Sequence, residues 1–180
     1  MKTTILLFSL FVITLLNSSC YGEITGTVVD AETGKPIEGA VVLVEWTIIK
    51  GLPGMNYTES YKVVEVVTDK DGSFTVSGVS NPLVNRPPHL VVYKKGYIAW
   101  NNQYIFPTWK QRKDFNIRSG MEIRLEQFKE GFSHYDHFSF ISSGAVSGSG
   151  GKLLEDAYLW ERILGMKEIE KRKKRESEGR

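Results

Sequence analysis

Thr68-Asp69-Lys70-Asp71-Gly72-Ser73-Phe74-Thr75-Val76 reads as the end of one β-strand, a tight turn and the start of the next. Asp71-Gly72 supplies the positive φ that hairpin turns use, and Phe74 and Val76, two apart, fall on one face of the strand that follows. Working outward, Tyr61–Thr68 is rich in β-branched residues and predicts a strand. Gly39–Trp46 predicts another, with Ala40, Val42, Val44 and Trp46 facing one side. Between them, Thr47–Tyr61 contains Gly51, Pro53 and Gly54 and reads as a long hairpin excursion. Glu23–Asp30 alternates and predicts the first strand, ended by the turn formers of residues 30–36. Downstream, Asn81–Pro88 holds three prolines and predicts a loop. Leu90–Tyr93 follows as a strand closed by Lys94–Tyr97, and Phe115–Ile117 and Met121–Leu125 read as the last short strands.

Short strands with turn signals between them and no helical period, spread over residues 23–127, predict an all-β sandwich. The chain has 180 residues, 41% apolar and 24% charged, enough for one packed domain plus accessories. A net charge of +2 gives no pull toward nucleic acid. The chain has one cysteine, Cys20, which excludes an intrachain disulfide and a multi-thiolate zinc site.

Residues 1–19 read as a signal peptide. Lys2 is the positive start, and Ile5–Leu16 is an apolar run broken by Ser9 and Thr14, short for a membrane span of about 20 residues. Leu16-Asn17-Ser18-Ser19-Cys20 resembles a bacterial lipobox, which implies lipid attachment at Cys20 and a membrane-tethered segment over residues 20–22. Asn17 stands where that pattern carries an aliphatic residue, and secretory cleavage near Gly22 is the alternative.

The mature chain resembles the carboxypeptidase regulatory-like domain, a relative of transthyretin. The likeness runs through Gly26–Asp30, Thr33–Val42, Thr68–Val76, Leu90–Val92 with Gly96-Tyr97, and Ile123–Leu125. It implies a seven-stranded, Greek-key, prealbumin-like β-sandwich over residues 23–127, acting as a binding or stabilising module. The excursions at Thr47–Tyr61 and Ile98–Asp114 are longer than that pattern needs, and nothing after Phe128 corresponds to it.

Residues 128–151 read as an aromatic segment followed by a Gly/Ser linker, residues 152–175 as an amphipathic helix, and residues 176–180 as a charged, fraying tail. On the helix, Leu153, Leu154, Ala157, Trp160, Ile163 or Leu164 and Met166 are the expected packing stripe, and Glu155, Glu161 and Glu168 dilute its positive face. His134-Tyr135-Asp136-His137 is the densest group of metal-capable side chains, with His134 and His137 as weak candidate ligands; a polar surface loop is the plainer reading. Trp100, Tyr104, Phe106 and Trp109 share a segment with Asn and Gln neighbours and are candidate ligand contacts, weighed against a lid over the core. No Gly-x-Ser-x-Gly elbow with strand and helix context is present.

These residues predict a non-catalytic envelope lipoprotein with no cofactor, set at the outer membrane by its lipid and contacting an envelope protein or polysaccharide. A carbohydrate-binding module using Trp100–Trp109 is the first alternative. A metal-dependent enzyme using His134 and His137 is the second.

Overall fold

Alternating β-branched stretches make the strands of this protein, and its glycine, proline and aspartate clusters end them. A computed structural model describes residues 20–144 and 151–178; the expected signal peptide and residues 145–150 of the Gly/Ser linker lie outside them. In chain order the elements are β1 (Cys20–Tyr21), β2 (Ile24–Asp30), β3 (Val41–Leu52), β4 (Met55–Val67), β5 (Ser73–Val76), β6 (Val79–Ser80), β7 (His89–Tyr93), β8 (Trp100–Asn101), β9 (Tyr104–Ile105), β10 (Lys110–Gln111), β11 (Met121–Leu125), α1 (His134–Ser142) and α2 (Lys152–Glu178). The protein is mostly β, with two larger sheets and a C-terminal helix.

One sheet has the order β11-β2-β5 and the other β4-β3-β7-β8, with the ribbons β1-β6 and β9-β10 beside them. β11 runs parallel to β2, while β5 pairs with β2 antiparallel. The facing sides of the two sheets enclose an apolar core that includes Val28, Val42, Val44, Trp46, Phe74, Val92 and Ile123. Each such side chain, fully buried, contributes about 1.5–3 kcal/mol of transfer free energy.

The opposite face of β3 and β7 is buried as well. Val41, Leu43, Val91 and Tyr93 pack there against Phe140 and Ile141 of α1 and Leu154 of α2. The molecule therefore has three layers: sheet, sheet and helices.

Several local expectations change. The turn at Asp69–Gly72 is not a hairpin: β4 pairs with β3 and β5 with β2, so the turn carries the chain from one sheet to the other. Asp69 holds it by accepting from the backbone N–H groups of Asp71 (2.9 Å) and Ser73 (2.8 Å). The Phe115–Ile117 stretch forms no strand; Phe115 and Ile117 lie half-buried against the core, and Asn116 is exposed. Residues 134–142, expected within an aromatic segment, are helical because Ser133 caps the first turn by accepting from the Asp136 N–H at 3.2 Å. α2 runs on through the charged run to Glu178.

Asp30 ties together three chain segments at one end of the sandwich. Its Oδ1 accepts from the N–H groups of Glu32 and Thr33 and from the Thr33 hydroxyl, and its Oδ2 from Tyr97 and Gln127. The Thr33 N–H above all, then Gln127, hold this carboxyl well below the usual carboxylate range, against the opposing effect of burial.

Gly72 sits at φ +70, and a Cβ there would stand 2.5 Å from the Val28 carbonyl oxygen. Gly72→Ala is expected to destabilise the fold by about 1–2 kcal/mol from the left-handed backbone alone, with the clash adding to it. A urea titration checks this; an unchanged midpoint would contradict the turn's placement.

Candidate functional site

Ionisable groups converge outside the sandwich, between α1 and α2. Leu154, Glu161, Gly165 and Glu168 are spaced seven, four and three residues apart and share one face of α2. Glu161 is fully buried. It meets Nδ1 of His137 at 3.0 Å through one oxygen and Nδ1 of His134 at 2.5 Å through the other. The Ala99 N–H donates to Nε2 of His137 at 2.9 Å, which places that ring's proton on Nδ1, facing Glu161. Tyr93 donates to the same carboxylate at 3.4 Å and accepts from the Trp160 indole N–H at 2.8 Å.

Burial pushes the Glu161 carboxyl up, but its hydrogen bonds with His137 and His134 outweigh this and set it below the ordinary glutamate value. Burial, reinforced by the charge of Glu161, raises the Tyr93 phenol far above its usual range.

One helical turn further along α2 is Gly165, where any side chain would meet the backbone of Tyr135 within 2.6 Å. The helices cross closely there, and Glu168 reaches the N-terminus of α1. It accepts from the Ser133 hydroxyl (2.9 Å) and the N–H groups of His134 (3.1 Å) and Tyr135 (3.2 Å). Glu65 on β4 does the same for α2, accepting from the N–H groups of Leu153 (2.9 Å) and Leu154 (2.7 Å). Glu161 and Glu168, expected to dilute the positive face of α2, thus fasten the helices; of the expected packing stripe Leu154 and Ala157 pack inward, while Leu153, Ile163 and Met166 are exposed.

His134 and His137 come together with a carboxylate, but both Nδ1 atoms and the Nε2 of His137 are engaged by the protein itself. Among the described residues, no group of three or more His, Cys, Asp and Glu side chains is placed to hold a metal ion.

The aromatic segment divides. Trp100 is buried in the sandwich core, edge-on to Phe115 at 4.6 Å with the Arg112 guanidinium 4.8 Å from its ring. Phe106 is buried in the helix layer, against His137 (5.0 Å), Phe132 (5.3 Å) and Phe140 (5.5 Å). Tyr104 and Trp109 remain half-exposed, and Trp109 takes the rare φ of +55. Asn101 and Asn102 are committed to the fold: Asn101 accepts from the N–H groups of Gln103 and Tyr104, and Asn102 accepts from the Leu90 N–H and donates to the Pro88 carbonyl.

Tyr104 borders an open polar groove together with Arg86, His89, Gln103, Gln111 and Arg112. Burial pulls His89 below the ordinary histidine range, opposed by the charge of Glu45 and by Gln103. Two arginines and two glutamines suit an oxygen-rich or acidic ligand. The groove is not legible in the sequence, because its walls come from separate elements, with Thr47 and Thr58 of the β3–β4 hairpin joining His89, Tyr104 and Gln111. Cys20 lies at the chain's entry to the domain, its backbone paired with Ser80. Among the described residues, no helix is long and apolar enough to cross a membrane.

No protein-family model matches the chain, and no curated protein matches it. Among solved structures, it is similar to the streptococcal ancillary pilin, with 17% identity and a TM-score of 0.32, over 61% of this chain and 30% of that one. It is also similar to the group B streptococcus pilus 2b backbone protein, with 18% identity and a TM-score of 0.36, over 61% of this chain and 42% of that one. The chain thus spans less than half the length of either pilin.

Removing the buried carboxylate tests the clasp. Glu161→Ala leaves the two histidines without their acceptor and is expected to cost about 3–5 kcal/mol in denaturant unfolding. Because the Glu161 carboxyl titrates lower in the folded than in the unfolded chain, its contribution is present above pH 4.5 and lost as pH falls below it. Glu161→Gln should remove that part of the acid sensitivity; a variant with the wild-type pH profile would contradict the assignment.

Proposed function

We propose that this chain is a non-catalytic lipoprotein of the bacterial cell envelope, tethered by lipid on Cys20 and set at the outer membrane. Its β domain is read as a prealbumin-like, seven-stranded Greek-key sandwich of the carboxypeptidase regulatory-like type, serving as a scaffolding or binding module for an envelope protein or polysaccharide. The observation that carries this reading is the use made of the converging acid and base groups. Glu161, His134 and His137 hold one another and the backbone of Ala99, so their hydrogen-bonding capacity goes into joining two helices to a sheet. A general acid or base needs a partner in a cleft and within reach of a reacting atom.

A second reading is a carbohydrate contact. It is favoured by the open groove at Tyr104, with Gln103, Gln111 and Arg86 around it. A half-exposed aromatic ring beside amide and guanidinium donors suits a sugar ring and its hydroxyls. Trp100 and Phe106, being buried, serve the fold instead.

Growth of the source cells with a fatty-acid analogue is expected to tag the wild-type protein and leave Cys20→Ser untagged and in the soluble fraction; equal tagging of both would reject lipid attachment. On a polysaccharide panel, Tyr104→Ala is expected to weaken any carbohydrate binding about tenfold, equivalent to ~1.4 kcal/mol. Binding unaffected by that change, or absent from the panel, removes the second reading.

A further inference from the structure

The hairpin of β3 and β4 outruns the body of the protein. β3 pairs with β7 only as far as Glu45↔His89, yet it stays paired with β4 from Thr47↔Ser60 out to Leu52↔Met55. At about 3.3 Å per residue, that places the tip some 20 Å beyond Trp46. Pro53 and Gly54, the latter at φ +84, make the turn. The tip is apolar and exposed: Leu52 is 72% exposed, Met55 79% and Tyr57 58%. The charges on this extension, Lys50 and Glu59, face each other at 2.9 Å and cancel. A neutral apolar projection of this kind marks a contact surface.

The hairpin lies beside the N-terminal segment. Lys62, opposite Trp46 where the hairpin leaves the body, donates to the Gly78 carbonyl at 3.2 Å. Gly78 leads directly into Val79–Ser80, which pair with Tyr21 and Cys20. The hairpin therefore springs from the edge of the domain at which the chain enters through Cys20, the proposed point of lipid attachment.

We propose that the β3–β4 tip is a membrane-contact element, with Leu52, Met55 and Tyr57 seated in the interface of the bilayer that holds the N-terminus. The choice of a bilayer rests on the reading of an N-terminal membrane attachment. Leucine and methionine enter the acyl boundary, and tyrosine takes the headgroup level with its ring buried and its hydroxyl wet. With its ions already paired, the tip needs no anionic lipid. The basic segment Lys171–Arg175 would instead require anionic headgroups.

The test uses the purified full chain reconstituted into phosphatidylcholine vesicles containing a phosphatidylcholine with a photoactivatable acyl chain. After irradiation and trypsin digestion, the peptide Gly51–Lys62 is expected to carry at least about fivefold more lipid adduct than Leu125–Lys129, at the opposite end of the domain. The double change Leu52→Asp, Met55→Asp, at positions the fold leaves in water, should reduce that adduct about fivefold with unchanged circular dichroism. No adduct on Gly51–Lys62, equal adduct on both peptides, or adduct confined to the Lys171–Arg175 region overturns the proposal. The mass of the Cys20 peptide in the same digest reports attachment separately. A bare cysteine there rejects lipid attachment, while the hairpin adduct still decides the tip.

Discussion

Strand β3 has to be covered on both faces, and the architecture follows from that constraint. Val42, Val44 and Trp46 point into the space between the sheets. Val41 and Leu43 point the other way, under the helices. Each of these side chains contributes about 1.5–3 kcal/mol only when its own side is closed. The three-stranded sheet closes one side, and α1 with α2 closes the other. The helices are thus a third layer of the domain, and Glu65, reaching from β4 to cap α2, joins that layer to the sheet's edge.

The helix layer contains an unusual amount of buried polarity. A carboxylate taken out of water loses more in desolvation than a single ion pair returns, unless its remaining lone pairs are also used. Glu161 meets that condition with His134, His137 and Tyr93. Such a clasp adds directionality where apolar packing has little: it sets how far α2 slides along α1, while Glu168 and Gly165 set how closely they cross. The functional consequence is that recognition is left to the periphery. The polar groove at Tyr104, the hairpin tip and the outer side of α2 are the surfaces the fold does not consume.

Much of the sandwich was legible in the sequence. Alternation located Glu23–Asp30, Ser73–Val76 and Met121–Leu125 to within a residue of β2, β5 and β11, because those strands keep one face toward the core and one toward solvent or a rim. The third layer is legible in part: residues 152–175 read as a helix with a packing stripe, and Val41-Val42-Leu43-Val44, an unbroken apolar run, is the mark of a strand buried on both faces. The start of α1 is written in Ser133, whose hydroxyl accepts from the Asp136 N–H three residues later, within a segment whose aromatic content masks the helix. On α2 the expected stripe divides. Leu154 and Ala157 pack inward as hydropathy predicts, but Leu153, Ile163 and Met166 are exposed while Glu161, Gly165 and Glu168 face inward, since carboxylates are drawn to the histidines and to the helix N-terminus. The candidate residues divided along the same lines, with Trp100 and Phe106 used for packing and Tyr104 left at the surface.

Native-state hydrogen exchange on the full chain tests the three-layer account most directly. If the helices complete the domain, amides of α1 and of α2 as far as Gly165 should be protected to the same degree as those of Val41–Val44, and should lose protection together with them in rising denaturant. Helical amides exchanging at unstructured rates while β3 stays protected would show that β3 does not need its second cover.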